Sequence, residues 1–209
     1  MTSYFYSSKQ GSKKKYPLPV GFNDEDVIQI LHDHSMLSQI FWPHSSTAVR
    51  PETDAKPNMS QFIVRSEDSS YKAAISSQKN GVTCTEELPL GFKITITYVV
   101  AGWDQFAEEQ SRNSDKDEAA SSSSLLEYSA SLPNHQLYLV EERSMTALKP
   151  AMLLMKWKNE GIVAKTKNLL QVLEDIGGTG KDLLSALADL TSMTTLEDAN
   201  TLVEKAKNK

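Results

Sequence analysis

Residues 92–100 read FKITITYVV, and this stretch decides the predicted fold. Apolar and polar side chains alternate along it, which is the period-2 pattern of a β-strand with one buried face. The stretch therefore predicts a central strand of an antiparallel sheet, whose core-facing side chains are Phe92, Ile94, Ile96, Tyr98 and Val100.

Shorter strand patterns lie on both sides of this stretch, at residues 62–64, 71–75, 82–88, 125–132 and 137–148. The dipeptide Asn80-Gly81 is typical of a tight hairpin, and Pro133-Asn134-His135 predicts the last turn between strands. Residues 45–60, which are polar and contain prolines, predict a loop. Together these patterns predict a meander of about six strands, preceded by a short aromatic strand near Phe5.

Helical patterns occupy the two ends of the sheet region. Asn23 is a good N-cap for a helix to His34, and a second short helix is predicted from Met36 to Trp42. A long helix is predicted from Lys149 to Ile176, because apolar residues recur there every seven positions. Asn159 and Thr166 fall beside its apolar stripe, as expected either of a wall facing a cavity or of the edge of an ordinary core.

The glycine-rich stretch DIGGTGKD, residues 175–182, invites comparison with a phosphate-binding loop. Such a loop requires a preceding strand and a second glycine five residues before Gly180, and this sequence has neither. Gly177 and Gly178 instead predict a left-handed end to the long helix, and Thr179 predicts the N-cap of the next one. No nucleotide site follows from this stretch.

Composition excludes several classes of function. The chain has 209 residues, a net charge of −5 and one cysteine, so neither a basic nucleic-acid surface nor a multi-cysteine metal site is expected. His32 and His34 lie two positions apart, which is the wrong spacing for one ion on a helix. We predict a cytoplasmic protein without metal, cofactor or stable membrane insertion, and a disordered insert at residues 104–124.

The order of predicted elements resembles the START-like or SRPBCC superfamily, whose helix-grip fold wraps a curved sheet round a long C-terminal helix. Three segments, PLPVGFNDEDVIQILHDH, PLGFKITITYVVAG and LYLVEERSMTALKPAMLLMKWK, are similar to members from filamentous fungi. The resemblance covers residues 1–176 and leaves residues 177–209 as a helical extension. It implies an α+β fold of six or seven strands with an internal cavity.

This resemblance implies binding of a small apolar metabolite such as a lipid, sterol, polyketide or terpenoid. Because some relatives act as cyclases, a cofactor-independent cyclase of the lyase or isomerase type is the first alternative. A protein-interaction module is the second, and the C-terminal helices offer a possible homodimer contact.

Candidate site residues follow from the alternation of the strands. Glu86 shares a face with Val82 and Cys84, so it is either a buried acid or base or an exposed edge residue. Glu141 and Arg143 share a face of the last strand, as a cavity-lining pair or as a solvated one. The predicted catalytic residues are Tyr98, Glu86, Glu141 and Arg143, and the predicted ligand-binding residues are Phe92, Ile94, Ile96, Tyr71, Trp103, Met152, Met155, Asn159 and Ile162.

Overall fold

The structure, a computed structural model, describes residues 5–49, 58–66, 69–102, 136–154 and 162–192. Strands and helices alternate in blocks along this part of the chain. The strands are β1 (Tyr6–Gln10), β2 (Lys14–Pro17), β3 (Ser46–Val49), β4 (Met59–Arg65), β5 (Ser70–Gln78), β6 (Gly81–Leu88), β7 (Phe92–Gly102) and β8 (Leu137–Leu148). The helices are α1 (Asp24–His32), α2 (His34–Phe41), α3 (Lys149–Leu154), α4 (Ala164–Gly177) and α5 (183–192).

All eight strands belong to one curved antiparallel sheet, in the order β1-β8-β7-β6-β5-β4-β3. Strands β1 and β2 pair in succession along the same edge of β8, so the sheet is seven strands wide. The predicted α+β class and the predicted strand number are confirmed. The hairpin between β5 and β6 is also confirmed, although its turn consists of Lys79 and Asn80, one position earlier than predicted.

Strand β7 lies in the middle of the sheet and shows the predicted alternation. Ile96, Tyr98 and Val100 are buried, and they belong to the main core cluster. On the opposite face Thr97 and Thr95 hydrogen-bond to threonines of β6, at 3.1 Å and 3.4 Å. The threonine face is therefore the outer one, and the apolar face turns towards the helices.

The prediction of a loop over residues 45–60 is wrong at both ends. Ser46–Val49 forms β3, which pairs with β4, and β4 itself begins at Met59. The prolines that suggested a loop lie between these strands, at positions outside the described residues, and the short stretch before them contains the β-branched Thr47 and Val49, which favour a strand.

Helix α1 begins as predicted, because Asn23 and Asp26 form a capping box. The Asn23 side chain accepts a hydrogen bond from the Asp26 amide at 2.8 Å, and the Asp26 carboxylate returns one. Helix α2 follows after a break at Asp33, whose side chain caps it by accepting from the Met36 amide. The two short helices predicted here are confirmed.

One continuous helix from Lys149 to Ile176 is not observed. Residues 162 and 163 are not helical, and Val163 has extended backbone angles of φ −75° and ψ 153°. The sequence offers a physical reason, because Gly161 and the β-branched Ile162 and Val163 all have low helix propensity. The seven-residue pattern predicted the apolar positions of α3 and α4, but it did not predict the interruption between the two helices.

The glycine-rich stretch connects α4 to α5, and two of its predicted caps are corrected. Gly178 has right-handed angles, whereas the left-handed residue is Gly180, with φ 69°. Asp182 rather than Thr179 caps α5, since its carboxylate accepts from the Ser185 amide at 3.0 Å. Lys181 donates to Asp175 at 3.1 Å and to Asp189 at 2.8 Å, so its charge joins the two helices.

Helix α5 belongs to the same core as the sheet. Ala186 and Leu190 are buried in the main cluster together with Leu169, Val172 and Leu173 of α4. The predicted insert at residues 104–124, the predicted strand at 125–132 and the end of the tail lie outside the described residues.

Candidate functional site

Glu86 lies on the inner face of β6, so of the two alternatives left by the sequence the structure shows the buried one. It is buried, and it follows Val82 and Cys84 on that face. Three donors converge on its Oε1 atom: Trp42 Nε1 at 2.7 Å, Lys165 Nζ at 2.9 Å and the Tyr71 hydroxyl at 3.1 Å. Glu86 Oε2 makes no hydrogen bond with any residue that the structure describes.

Each of these donors comes from a different element. Trp42 is the residue that ends α2, Tyr71 belongs to β5, and Lys165 lies in the first turn of α4. The Lys165 ammonium also lies 5.8 Å from the Trp42 ring centre, within the range of a cation–π contact. Burial raises the pKa of the Tyr71 hydroxyl strongly, and the charge of Glu86 raises it further. Tyr71 therefore remains a protonated donor to Glu86.

A second buried network surrounds Glu141 on β8. Arg143 Nε donates to Glu141 Oε1, and the Thr166 hydroxyl donates to Glu141 Oε2. The Tyr98 hydroxyl lies 2.9 Å from Thr166 Oγ1 and is buried, which raises its pKa. The Tyr16 hydroxyl lies beside this network without a hydrogen bond to any described residue, and burial raises its pKa too.

The first turn of α4 joins the two networks. Lys165 reaches Glu86, and the next residue, Thr166, reaches Glu141. Between them Cys84, Ile96 and Arg143 lie side by side in neighbouring strands, so apolar Ile96 separates the carboxylates. Each carboxylate has one cation of its own, as buried charges require.

The Glu86 end of the site is adjacent to a pocket of about 510 Å³ at one end of the sheet. Tyr71 belongs to both, since it donates to Glu86 and lines the pocket, and Phe92 lines the pocket as well. Ile94 lies opposite Glu86 in the ladder and is half-buried. Glu86 itself does not line the pocket, so Tyr71 is the residue that connects the carboxylate to this opening.

Two further pockets lie elsewhere on the molecule. One, of about 860 Å³, lies between α1 and the end of α4 and includes Phe22, Met36 and Leu183. The other, of about 580 Å³, is polar and includes His32 and His34. None of these three pockets is lined by Glu86, Tyr98, Glu141 or Arg143.

The remaining predicted ligand-binding residues are scattered. Met152 is buried in a small second cluster with Met145 and Ala147, and Phe92 and Ile94 pack against that cluster. Ile162 is 56% exposed just before α4. Trp103, Met155 and Asn159 lie outside the described residues.

The sequence pattern missed two donors of the Glu86 network, Trp42 and Lys165. Lys165 precedes buried Leu169 by four positions, so it lies on the buried stripe of α4, where a lysine is unusual without an anion. That spacing was an available signal for Lys165. For Trp42, the signal was an indole at a helix end, since a buried indole N–H usually has an acceptor.

The histidines that invited a metal interpretation make ordinary hydrogen bonds. His34 Nδ1 lies 2.8 Å from Ser60 Oγ, and His34 Nε2 lies 2.9 Å from Ser77 Oγ. Burial and the neighbouring His32 lower the pKa of His34. Within the described ranges, no group of three or more His, Cys, Asp or Glu side chains could hold a metal ion.

No helix in the described part of the chain combines the length and the apolar composition that spanning a bilayer requires. Comparison with known proteins gives no identity: no protein-family model matches the chain, and the search of curated proteins finds no similar sequence.

Proposed function

We propose that the protein binds a small, mainly apolar metabolite that carries a hydrogen-bond donor, beside Glu86 on the concave face of the sheet. Lipids, sterols, polyketides and terpenoids are the classes implied by the resemblance to START-like proteins. The supporting observation is the asymmetry of Glu86, because three donors occupy Oε1 while Oε2 makes no hydrogen bond with the described residues.

This asymmetry supports a ligand because Oε1 is occupied, whereas Oε2 is not an enclosed atom and can accept from an incoming donor. A hydroxyl or amine of a ligand would donate to Oε2. The three protein donors hold the carboxylate in one orientation before the ligand arrives, which lowers the entropic cost of binding. Ile94, Phe92 and Tyr71 would contact the apolar part of the ligand.

An estimate of the binding free energy indicates why the ligand needs a hydrogen bond to Glu86 in addition to apolar contacts. Burying about 300 Å² of apolar ligand surface at roughly 25 cal/mol per Å² gives about 7.5 kcal/mol. Association itself costs at least about 4 kcal/mol, so apolar burial alone leaves millimolar affinity. A hydrogen bond to a charged group adds about 1.5–3 kcal/mol, which brings the expected affinity nearer to micromolar.

The test uses an extract of the source cells as the probe. Purified protein is incubated with the extract, purified again and examined by native mass spectrometry. We expect a bound compound on the wild type and on Glu174→Gln, an exposed glutamate of α4, and at least about a tenfold loss on Glu86→Gln. Tyr71→Phe, which keeps the Glu86–Lys165 pair, is a second variant in case Glu86→Gln unfolds. Equal retention by all variants, or no bound compound on the wild type, contradicts the proposal.

A second candidate function is a cofactor-independent cyclase, and the convergence of Lys165 and Tyr71 on Glu86 favours it. In this scheme Glu86 Oε2 accepts a proton from the bound chain and returns it after ring closure. Tyr98, Glu141 and Arg143 hydrogen-bond to one another or through Thr166, so they would form the floor of the site. A product that forms with the wild type, while Glu86→Gln only binds the precursor, would distinguish catalysis from binding.

A further inference from the structure

Exposed apolar side chains are concentrated at one end of the sheet. Of the seven large apolar side chains that are exposed in the described part of the chain, four lie at this end. Tyr6 pairs with Leu148 in the ladder, Phe5 accepts a backbone hydrogen bond from Lys149, and Tyr6 lines the same pocket as the turn that carries Leu90. We call Phe5, Tyr6, Leu90 and Leu148 the Leu90 patch.

The backbone holds Leu90 in an unusual position. It lies in the 3₁₀ turn Pro89–Gly91 between β6 and β7, with φ 63° and ψ 21°, and its side chain is 81% exposed. The left-handed region is strained for a branched side chain, and exposure to water gives no compensating burial. A strained residue that presents leucine to the outside indicates a contact with something outside the fold.

Basic side chains border the patch. Lys72 and Lys93 line the adjacent pocket, and Lys149 follows Leu148 in the chain. Glu87 is the acidic residue lining that pocket, and its carboxylate lies 3.6 Å from Lys93. This border is therefore locally positive, although the whole chain carries a net charge of −5.

We propose that the Leu90 patch docks on the surface of an anionic lipid bilayer. Leu90 and Phe5 would enter the layer between headgroups and acyl chains, and the lysines would face the lipid phosphates. Segments that bind the membrane interface typically combine an exposed leucine, aromatic rings and the aliphatic parts of lysine side chains, as this patch does. A stable protein partner would need a broader surface than one turn and one strand end provide.

The Leu90 patch lies close to the proposed ligand-binding site. The pocket beside it contains Tyr71, whose hydroxyl donates to Glu86. An apolar ligand leaving the bilayer at this end would meet the proposed binding site without crossing water. Docking does not depend on the proposed function, because it rests on different residues from those that hold Glu86.

The test is sedimentation with lipid vesicles, either of phosphatidylcholine alone or with roughly one-third phosphatidylserine. We expect the wild type to bind the anionic vesicles more strongly than the neutral ones. Leu90→Asn should weaken binding about tenfold without lowering the Tm, because asparagine adopts the left-handed region readily. Leu184→Gln removes a leucine that is 78% exposed on α5, and it should bind like the wild type.

The charge contribution is tested by Lys72→Gln with Lys93→Gln, compared with Lys79→Gln in the turn that follows the opposite end of β5. We expect the double variant to lose its preference for anionic vesicles and the control to keep it. Glu86→Gln should bind vesicles normally, which separates this proposal from the proposed function. Bilayer docking is overturned if the wild type does not bind vesicles, or if Leu90→Asn and Leu184→Gln lose binding equally. It is also overturned if the wild type self-associates without binding vesicles and Leu90→Asn abolishes that self-association.

Discussion

Glu141 and Arg143 are two positions apart on β8, and both side chains are buried. Removing two charges from water costs several kcal/mol each, and their mutual attraction compensates only while both are present. Thr166 adds a hydrogen bond to the carboxylate and orders the pair against α4. The interpretation as a solvated surface pair does not describe this arrangement.

Arg143→Met is expected to lower the free energy of unfolding by about 3–5 kcal/mol, because it leaves Glu141 buried without a cation. Urea denaturation followed by circular dichroism measures this change. Changing both residues, Glu141→Met with Arg143→Met, should recover most of the loss. The matched control is Glu142→Gln, which breaks the exposed pair with Lys13 at 2.7 Å and should cost less than about 1 kcal/mol. Equal costs for the two single variants would contradict the buried pair.

The sequence was sufficient to show which side chains share a face of a strand, but not which partners they contact. Strand alternation grouped Glu86 with Val82 and Cys84, and Glu141 with Arg143, but it left open whether these groups face the core or the solvent. Their partners Trp42 and Lys165 lie on helices that are distant in the sequence. No local sequence pattern predicts which residue pairs of the sheet a distant helix will contact.

Gly81 shows how closely two elements of the sheet approach. A Cβ atom at this position would lie 1.9 Å from the Tyr98 carbonyl oxygen, which is part of the backbone of β7. The hairpin therefore requires glycine at Gly81 because of this close approach, and its φ is not positive. Strands β6 and β7 would have to separate to accept any side chain.

Gly81→Ala is expected to cost about 3 kcal/mol, since the added methyl group meets backbone rather than a movable side chain. Chemical denaturation at neutral pH measures the loss. Gly102→Ala, at the far end of β7, is the matched control, because its Cβ would meet nothing within 4 Å. The control should be neutral or slightly stabilising through the unfolded state. A tolerated Gly81→Ala would show that the strands are less closely packed than described.

Helices and strands with a clear hydrophobic period were predicted well, as was a helix start with a clear N-cap residue. Helix α1 had an N-cap and an acidic first turn, and β7 had seven strictly alternating residues, 92–98. Helices α3 and α4 were predicted as one because their apolar residues keep a common seven-residue spacing. The spacing of apolar residues indicates which face of a helix is buried, but it does not indicate where the helix is interrupted. The interruption depends on the low helix propensity of residues near Gly161 and Val163.

Across the whole molecule, the buried acidic groups predict alkaline sensitivity. Burial raises the pKa of Cys84 to about 12, with Glu86 adding to the shift and Lys165 opposing it, and burial raises those of Tyr71 and Tyr98 as well. In the unfolded chain these groups ionise near pH 9 to 10. The unfolded state therefore loses protons first, and stability that is complete below pH 9 declines as the pH rises towards 12.

Urea denaturation between pH 8 and pH 11 measures this decline. For Cys84 alone, linkage gives a loss of about 2–3 kcal/mol at pH 11. Cys84→Val removes that contribution and nearly preserves the side-chain volume, so its decline should be about 2 kcal/mol shallower. Identical pH profiles for the variant and the wild type would mean that Cys84 ionises as easily in the folded protein as in the unfolded chain.

Strands β1 and β2 lie against β8, so the first strands in the described part of the chain pair with the last one there. During translation, a ribosome has to complete residues 137–148 before these first strands have a neighbour. Until then the nascent polypeptide exposes unpaired edges on both sides of the growing sheet, and such edges invite aggregation. We therefore expect the newborn chain to aggregate less when chaperones shield its strand edges.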